Sequence, residues 1–215
     1  MEPLIPYHTV LTESETEVVV NRSRFIGRCC PVETEAAARE ALARIRKRYW
    51  DASHHCFGYV LGVRGDTARF SDDGEPGGTA GMPIMEVLKS RGVTNALCVV
   101  TRYFGGVLLG AGGLVRAYSR SAADALNAAG VALMLPGIEI LVEIDYTRYG
   151  AVEALLRGAG EVNSVSFTDR VTASITVEAG AAEGLCADVT DKTDGRAVIR
   201  RGEWRYMKKA VNSTP

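Results

Sequence analysis

One stretch constrains this chain more than any other. An apolar run over 97–100 passes through Thr101-Arg102-Tyr103-Phe104 into Gly105-Gly106-Val107-Leu108-Leu109-Gly110-Ala111-Gly112-Gly113, and then directly into the helical pattern Leu114-Val115-Arg116-Ala117-Tyr118. This is a strand, a glycine-dense turn and a helix in immediate succession. Glycine lets a backbone take positive φ or approach another group closely, at an entropic cost. Five glycines between 105 and 113 are therefore more than spacing. A helix that opens out of such a loop presents unpaired N–H groups and the positive end of its dipole, which suits phosphate or carboxylate.

The loop is not a known nucleotide fingerprint. No Gly-Lys-Ser/Thr follows, so a phosphate-loop lysine and magnesium ligand are absent. Gly110-Ala111-Gly112-Gly113 also lacks the third spaced glycine of a dinucleotide site. What remains is an anion cradle made of Gly105, Gly106, Gly110, Gly112 and Gly113, flanked by Arg102 and Arg116. Arg120 lies one turn beyond Arg116 on the helix face opposite the apolar stripe, within reach of Asp124. Tyr103 and Phe104 are both candidates for stacking on bases; the alternative is that at least one of them closes the core beneath the turn, and for Phe104 that alternative is favoured.

Asp72-Asp73-Gly74-Glu75 puts three carboxylates in four residues. Asp72, Asp73 and Glu75 can bind a hard cation, act as an acid/base pair, or pair structurally with Arg102 or Arg116. His54, His55 and Cys56 are adjacent, but neighbours in a strand face opposite ways, so they do not make a zinc site. Activation of Cys56 by either histidine is a minor option. No metal or cofactor is assigned. A second basic patch, Arg200, Arg201, Arg205, Lys208 and Lys209 with Arg196 before it, interleaves with Trp204 and Tyr206, as suits RNA.

Periodicity places strands at 17–20 and 24–32, then a helix capped by Thr34 and running to about Trp50, with Ala38, Leu42, Ile45 and Tyr49 on its apolar stripe. A hairpin over 55–63 and 67–71, a helix with Pro83 in its first turn, a strand over 95–103 and a helix over 113–129 follow. Leu114, Tyr118, Ala122, Ala125 and Ala129 give that last helix a small-residue stripe. Pro136-Gly137 divides the chain into domains 1–135 and 136–215. The second domain reads strand 138–144, helix 149–157, hairpin 161–168 and 171–178, helix 181–189 and strand 197–201, a β-α-β-β-α-β order of the ferredoxin-like type. The fold class is α+β.

Composition excludes several alternatives. Apolar residues make up 47% and charged residues 24%, with a net charge of −1, so this is not a globally basic nucleic-acid coat. No apolar run approaches the ~20 residues of a membrane helix, and the N-terminus does not read as a secretory signal. Five cysteines without framework spacing point to reduced thiols and a cytoplasmic protein, with Cys98 a small buried hydrophobe.

Four blocks together resemble the IMPACT/YigZ family: Ser23-Arg24-Phe25-Ile26, Ala52-Ser53-His54-His55-Cys56, Asp72-Asp73-Gly74-Glu75-Pro76-Gly77-Gly78-Thr79-Ala80-Gly81-Met82-Pro83-Ile84, and the 101–118 signature. Leu108 departs from the pattern, standing where many members carry lysine. The resemblance implies a first domain with the α+β fold of a ribosomal small-subunit protein. It implies a second domain like the C-terminal domain of the ribosomal translocase EF-G, and a role in regulating translation. Two functional classes stay open. One is a translation-associated protein binding RNA, the ribosome or a translation factor. The other is a small metal-assisted hydrolase or phosphoryl-handling enzyme using Asp72, Asp73 and Glu75. Binding is favoured.

Overall fold

The computed structural model describes residues 4–211 and divides into two compact units, one centred on residues 7–133 and the other on 134–209. The class is α+β, with antiparallel sheets.

The first unit contains β1 (Tyr7–Val10), β2 (Ser14–Val20), β3 (Ser23–Pro31), α1 (Glu35–Arg48), β4 (His54–Leu61), β5 (Thr67–Ser71), α2 (Gly81–Ser90), β6 (Ala96–Tyr103) and α3 (Gly110–Ala129). Its sheet has the order β2-β3-β6-β4-β5, every neighbouring pair antiparallel. Central β6 is buried on both faces, as its unbroken apolar run implies. Leu97 and Val99 pack with Ala38, Leu42 and Ile45 of α1. Cys98 and Val100 pack on the other face with Ile84 and Leu88 of α2 and with Leu114, Tyr118 and Ala122 of α3. Each large side chain buried this way contributes about 1.5–3 kcal/mol relative to exposure. Thr34 caps α1 as expected, its hydroxyl accepting from Ala37 N at 3.1 Å.

Strand alternation decides what lies beneath α3. Two residues beyond Val100, Arg102 falls on the α2/α3 face. The register places Phe25 of β3 opposite Arg102 and His54 of β4 opposite it on the other side. Phe25, Arg102 and His54 thus form one row across three strands. Thr101 and His55 form the neighbouring pair on the opposite face.

The second unit continues from β7 (Val131–Ile144) into α4 (Tyr146–Ala159), β8 (Glu161–Phe167), β9 (Val171–Glu178), α5 (Ala182–Lys192) and β10 (Val198–Val211). Its sheet order is β10-β7-β9-β8. Ile140, Val142, Ile144, Val171 and Ile175 meet Val152 and Leu156 of α4 and Leu185 and Val189 of α5.

Several boundaries differ from the sequence reading. β1 is additional. α3 starts at Gly110 because Ala111, Gly112 and Gly113 form its first turn. β7 runs through Pro136, which precedes the first β7–β9 pair at Gly137↔Glu178 and so needs no N–H there. The last strand reaches Val211 instead of ending at 201. Exposed ion pairs fasten it: Arg201 to Glu183 at 3.1 Å, Arg205 to Glu139 at 3.3 Å and Lys209 to Glu178 at 3.4 Å.

Candidate functional site: a cavity under the glycine loop

β6 ends at Tyr103 and α3 begins at Gly110, so residues 104–109 bridge the top of the row formed by Phe25, Arg102 and His54. Beneath this bridge is a cavity of about 340 Å³. Its wall comes from three segments: His54 of β4, Glu75 and Pro76 of the acidic loop, and Arg102, Phe104, Leu108, Leu109, Gly110, Ala111 and Leu114 of the glycine segment. The two loops singled out from sequence therefore meet in one cavity.

Arg102, which the sequence offers either as a flank of the anion cradle or as an ion-pair partner of the acidic loop, is held in that ion pair. Its side chain is only 5% exposed. Nη1 donates to Glu75 Oε1 at 2.6 Å and Nη2 to Ser23 Oγ at 3.3 Å. Its guanidinium lies over the rings of Phe25 at 5.3 Å and Phe104 at 5.4 Å. Its buried Nε has no hydrogen-bond partner among the described residues. Glu75 Oε1 also accepts from Tyr118 Oη at 2.7 Å, and His54 Nε2 stands 3.9 Å from it. Burial and the neighbouring carboxylate push the Tyr118 hydroxyl far above its ordinary range, so it stays a donor.

Phe104 corrects the sequence reading. It is 49% exposed and on the cavity wall, because Phe25 already fills the space below, with its ring T-shaped to Tyr118 at 5.2 Å. Tyr103 points elsewhere: its hydroxyl donates to Asp51 Oδ1 at 2.7 Å and Arg24 covers its ring.

The glycines separate by cause. A Cβ on Gly105 would stand 2.1 Å from the Arg22 carbonyl carbon, so this residue is required for packing. Gly110, at the cavity mouth, has φ +68° and open space where a Cβ would be. Gly106 lies in the loop, while Gly112 and Gly113 lie in the first turn of α3. No side chain caps that turn. Its N–H groups thus keep the character of an anion-binding terminus. Arg116 and Arg120 are exposed on α3 away from the cavity wall, and Arg120 pairs with Asp124 at 3.7 Å.

The three carboxylates do not converge. Asp72 Oδ1 accepts from Ala80 N and Gly81 N, and its Oδ2 from Gly78 N, all within 3.0 Å. It thereby serves as a remote cap for α2. Burial pushes its carboxyl up, but these three donors outweigh that and hold it below the usual value. Asp73 accepts from Arg46 at 2.8 Å and from His55 N at 2.7 Å. Asp73 and Gly74 both have positive φ, and Glu75 N closes the turn on Asp72 O at 2.9 Å. Among the described residues no group of three or more His, Cys, Asp or Glu is arranged to hold a metal ion.

His54 and His55 face opposite sides of β4. His54 Nδ1 donates to Asp73 O at 2.8 Å, and His55 Nδ1 meets Thr101 Oγ1 at 3.1 Å. Burial pushes the His55 imidazole below its ordinary pKa despite nearby Asp73. Cys56 is fully buried, its thiol donating to Asp72 O at 3.0 Å and pushed up to about 12 by burial, so it is no thiolate nucleophile. In the second basic patch Arg200, Arg201, Trp204, Arg205, Lys208 and Lys209 all lie on β10, and Trp204 is exposed.

The segment building the cavity coincides with a recognised domain. Residues 21–126 match the model of the Impact N-terminal domain, and residues 142–196 match DUF1949, a domain of unknown function. The chain is 40% identical to the IMPACT family member YvyE of Bacillus subtilis (strain 168) over 207 residues, 96% of this chain and 95% of that protein. The chain belongs to the IMPACT family. A second relative, the IMPACT family member YigZ of Escherichia coli (strain K12), is 38% identical over 71% of this chain and 74% of its own. A crystal structure of an hypothetical protein matches with TM-score 0.60 and 29% identity, over 98% of this chain and 99% of the other. No helix among the described residues of this IMPACT-family chain is long and apolar enough to cross a membrane.

Sequence reasoning missed His54 and Leu108 as wall residues, favoured the core for Phe104, and left the partner of Arg102 open. The period-2 alternation from Cys98 through Val100 to Arg102 is the signal that marks Arg102 as inward-facing.

Proposed function

We propose that this IMPACT-family chain is a cytoplasmic, translation-associated regulatory protein that acts by binding, not by catalysis. Its contact is RNA, free, on the ribosome or in company with a translation factor, and the contact surface is the loop at 104–113 with the first turn of α3. One observation carries this reading. A 20-residue helix opens, without a side-chain cap, at a cavity whose wall holds a buried arginine and a half-exposed aromatic ring. Such a terminus attracts phosphate through its N–H groups and dipole. Arg116 and Arg120 extend positive charge along the same helix.

Supporting features lie in the second unit. The order β10-β7-β9-β8 with α4 and α5 supports a ferredoxin-like module in the domain 136–215, of the kind found in the translocase EF-G; the domain 1–135 is read as a module of ribosomal-small-subunit-protein type. Arg201, Arg205 and Lys209 of β10 are engaged in exposed ion pairs. Such pairs contribute only about 0–1 kcal/mol, so phosphate can compete for them. The hydrolase reading is weaker, since Asp72, Asp73 and Glu75 each accept from protein donors already.

A salt titration of the full chain against fluorescent single-stranded RNA tests this. The expected log–log slope is several units, and Arg116→Ala with Arg120→Ala should flatten it by about 1.4, roughly 0.7 per lost phosphate contact. Absence of binding at about 50 mM salt, where phosphate contacts are strong, would overturn the reading.

A further inference from the structure

We propose that the cavity under the glycine loop seats one unstacked nucleotide, with its phosphate at the N-terminus of α3 and its base against Phe104. This rests on the reading of the loop as an RNA contact and names what the loop recognises.

Size comes first. About 340 Å³ is at the lower end of small-ligand sites, enough for one nucleotide and too little for a stacked helix. The polar and apolar groups are also arranged for such a guest. The uncapped first turn of α3 supplies N–H donors at one edge, where Gly110 leaves open space. Arg102, nine-tenths buried and part of the same wall, keeps an Nε–H without an acceptor among the described residues. That nitrogen is closed to the cavity as well as to solvent, so the donors a guest meets are the N–H groups of the α3 turn. Glu75 does not repel an incoming anion, because Arg102 neutralises it at 2.6 Å.

The apolar half of the site suits a base. Phe104 is 49% exposed and Leu108 is 85% exposed on the rim. Exposed aromatic and apolar surface beside a cationic group is what single-strand binders use for stacking. The guanidinium of Arg102 already lies over the Phe104 ring at 5.4 Å, so the ring is held in place before any guest arrives.

The test is competition on the full chain. Adenosine 5′-monophosphate is titrated against a short fluorescein-labelled oligoadenylate, with adenosine and inorganic phosphate as separate competitors. The expected result is displacement by the monophosphate, with at least tenfold weaker competition from either fragment. Phe104→Leu, which keeps the apolar volume and removes the ring, should weaken both ligands by about tenfold. Leu108→Glu on the exposed rim should weaken them without altering thermal unfolding. RNA binding that neither the monophosphate nor Phe104→Leu disturbs would overturn the nucleotide seat and leave the RNA contact standing. Monophosphate binding without RNA binding would keep the seat and remove the RNA contact. Displacement of the oligoadenylate by a peptide with a free hydrophobic C-terminus, but not by the monophosphate, would overturn the seat in favour of a peptide carboxylate.

Discussion

Arg102 Nη1 donates to Glu75 Oε1 at 2.6 Å, joining the end of β6 to the acidic loop with both side chains almost wholly buried. The cost of desolvating the two ions is offset only while both are present. Glu75→Ala and Arg102→Ala should each destabilise the fold by about 3–5 kcal/mol in urea unfolding, because each strands the other charge. The double variant should lose clearly less than the sum. Additive losses would show that the pair is uncoupled.

Asp72 holds the start of α2 through three backbone donors. Asp72→Ala leaves those N–H groups short of an acceptor and should cost at least about 2 kcal/mol. The carboxyl is held below its ordinary value in the folded state, so its contribution is fully present above the unfolded pKa of 3.8. It is lost as pH falls through the lower folded value. Denaturant midpoints measured from neutral pH to strong acid should show this loss in the parent and not in Asp72→Asn.

His55 behaves in the same sense for a different reason. Burial favours its neutral form, so the unfolded chain binds a proton more readily. Its stabilising contribution is complete above about pH 6.5 and declines as pH falls through the depressed folded pKa. His55→Gln should flatten the stability profile just below pH 6.5. An unchanged profile would rule out His55 as its source.

Leu108 is 85% exposed at the cavity rim. Leu108→Lys adds a cation there without disturbing packing. It should strengthen single-stranded RNA binding by about 0.5–1 kcal/mol and steepen the salt slope by roughly 0.7. Equal affinity and slope in both proteins would place phosphate elsewhere.

Much of the secondary structure is legible because periodicity and caps are local signals. Thr34 before α1, the apolar run of β6 and the Asp73-Gly74 turn each carry their own reason. Long-range partners are what sequence conceals. Alternation turns Arg102 inward but leaves its partner open, because Glu75 and Ser23, which satisfy it, lie 27 and 79 residues away. Phe104 reads as core because nothing local shows that Phe25 already fills that space. The β10 cations read as a free basic patch because Glu139, Glu178 and Glu183, which pair with three of them, come from three other segments.

Ser23 accepts from both Arg102 and Gly105, at sequence separations of 79 and 82. Contacts so distant in sequence form only after a large loop has closed, which slows their assembly. Tyr118, the other donor to Glu75, lies further along still. During synthesis, then, the cavity has no partial form. It is completed only once α3 has emerged and closed over strands made long before, so truncated nascent chains of this protein carry the loop but not the site.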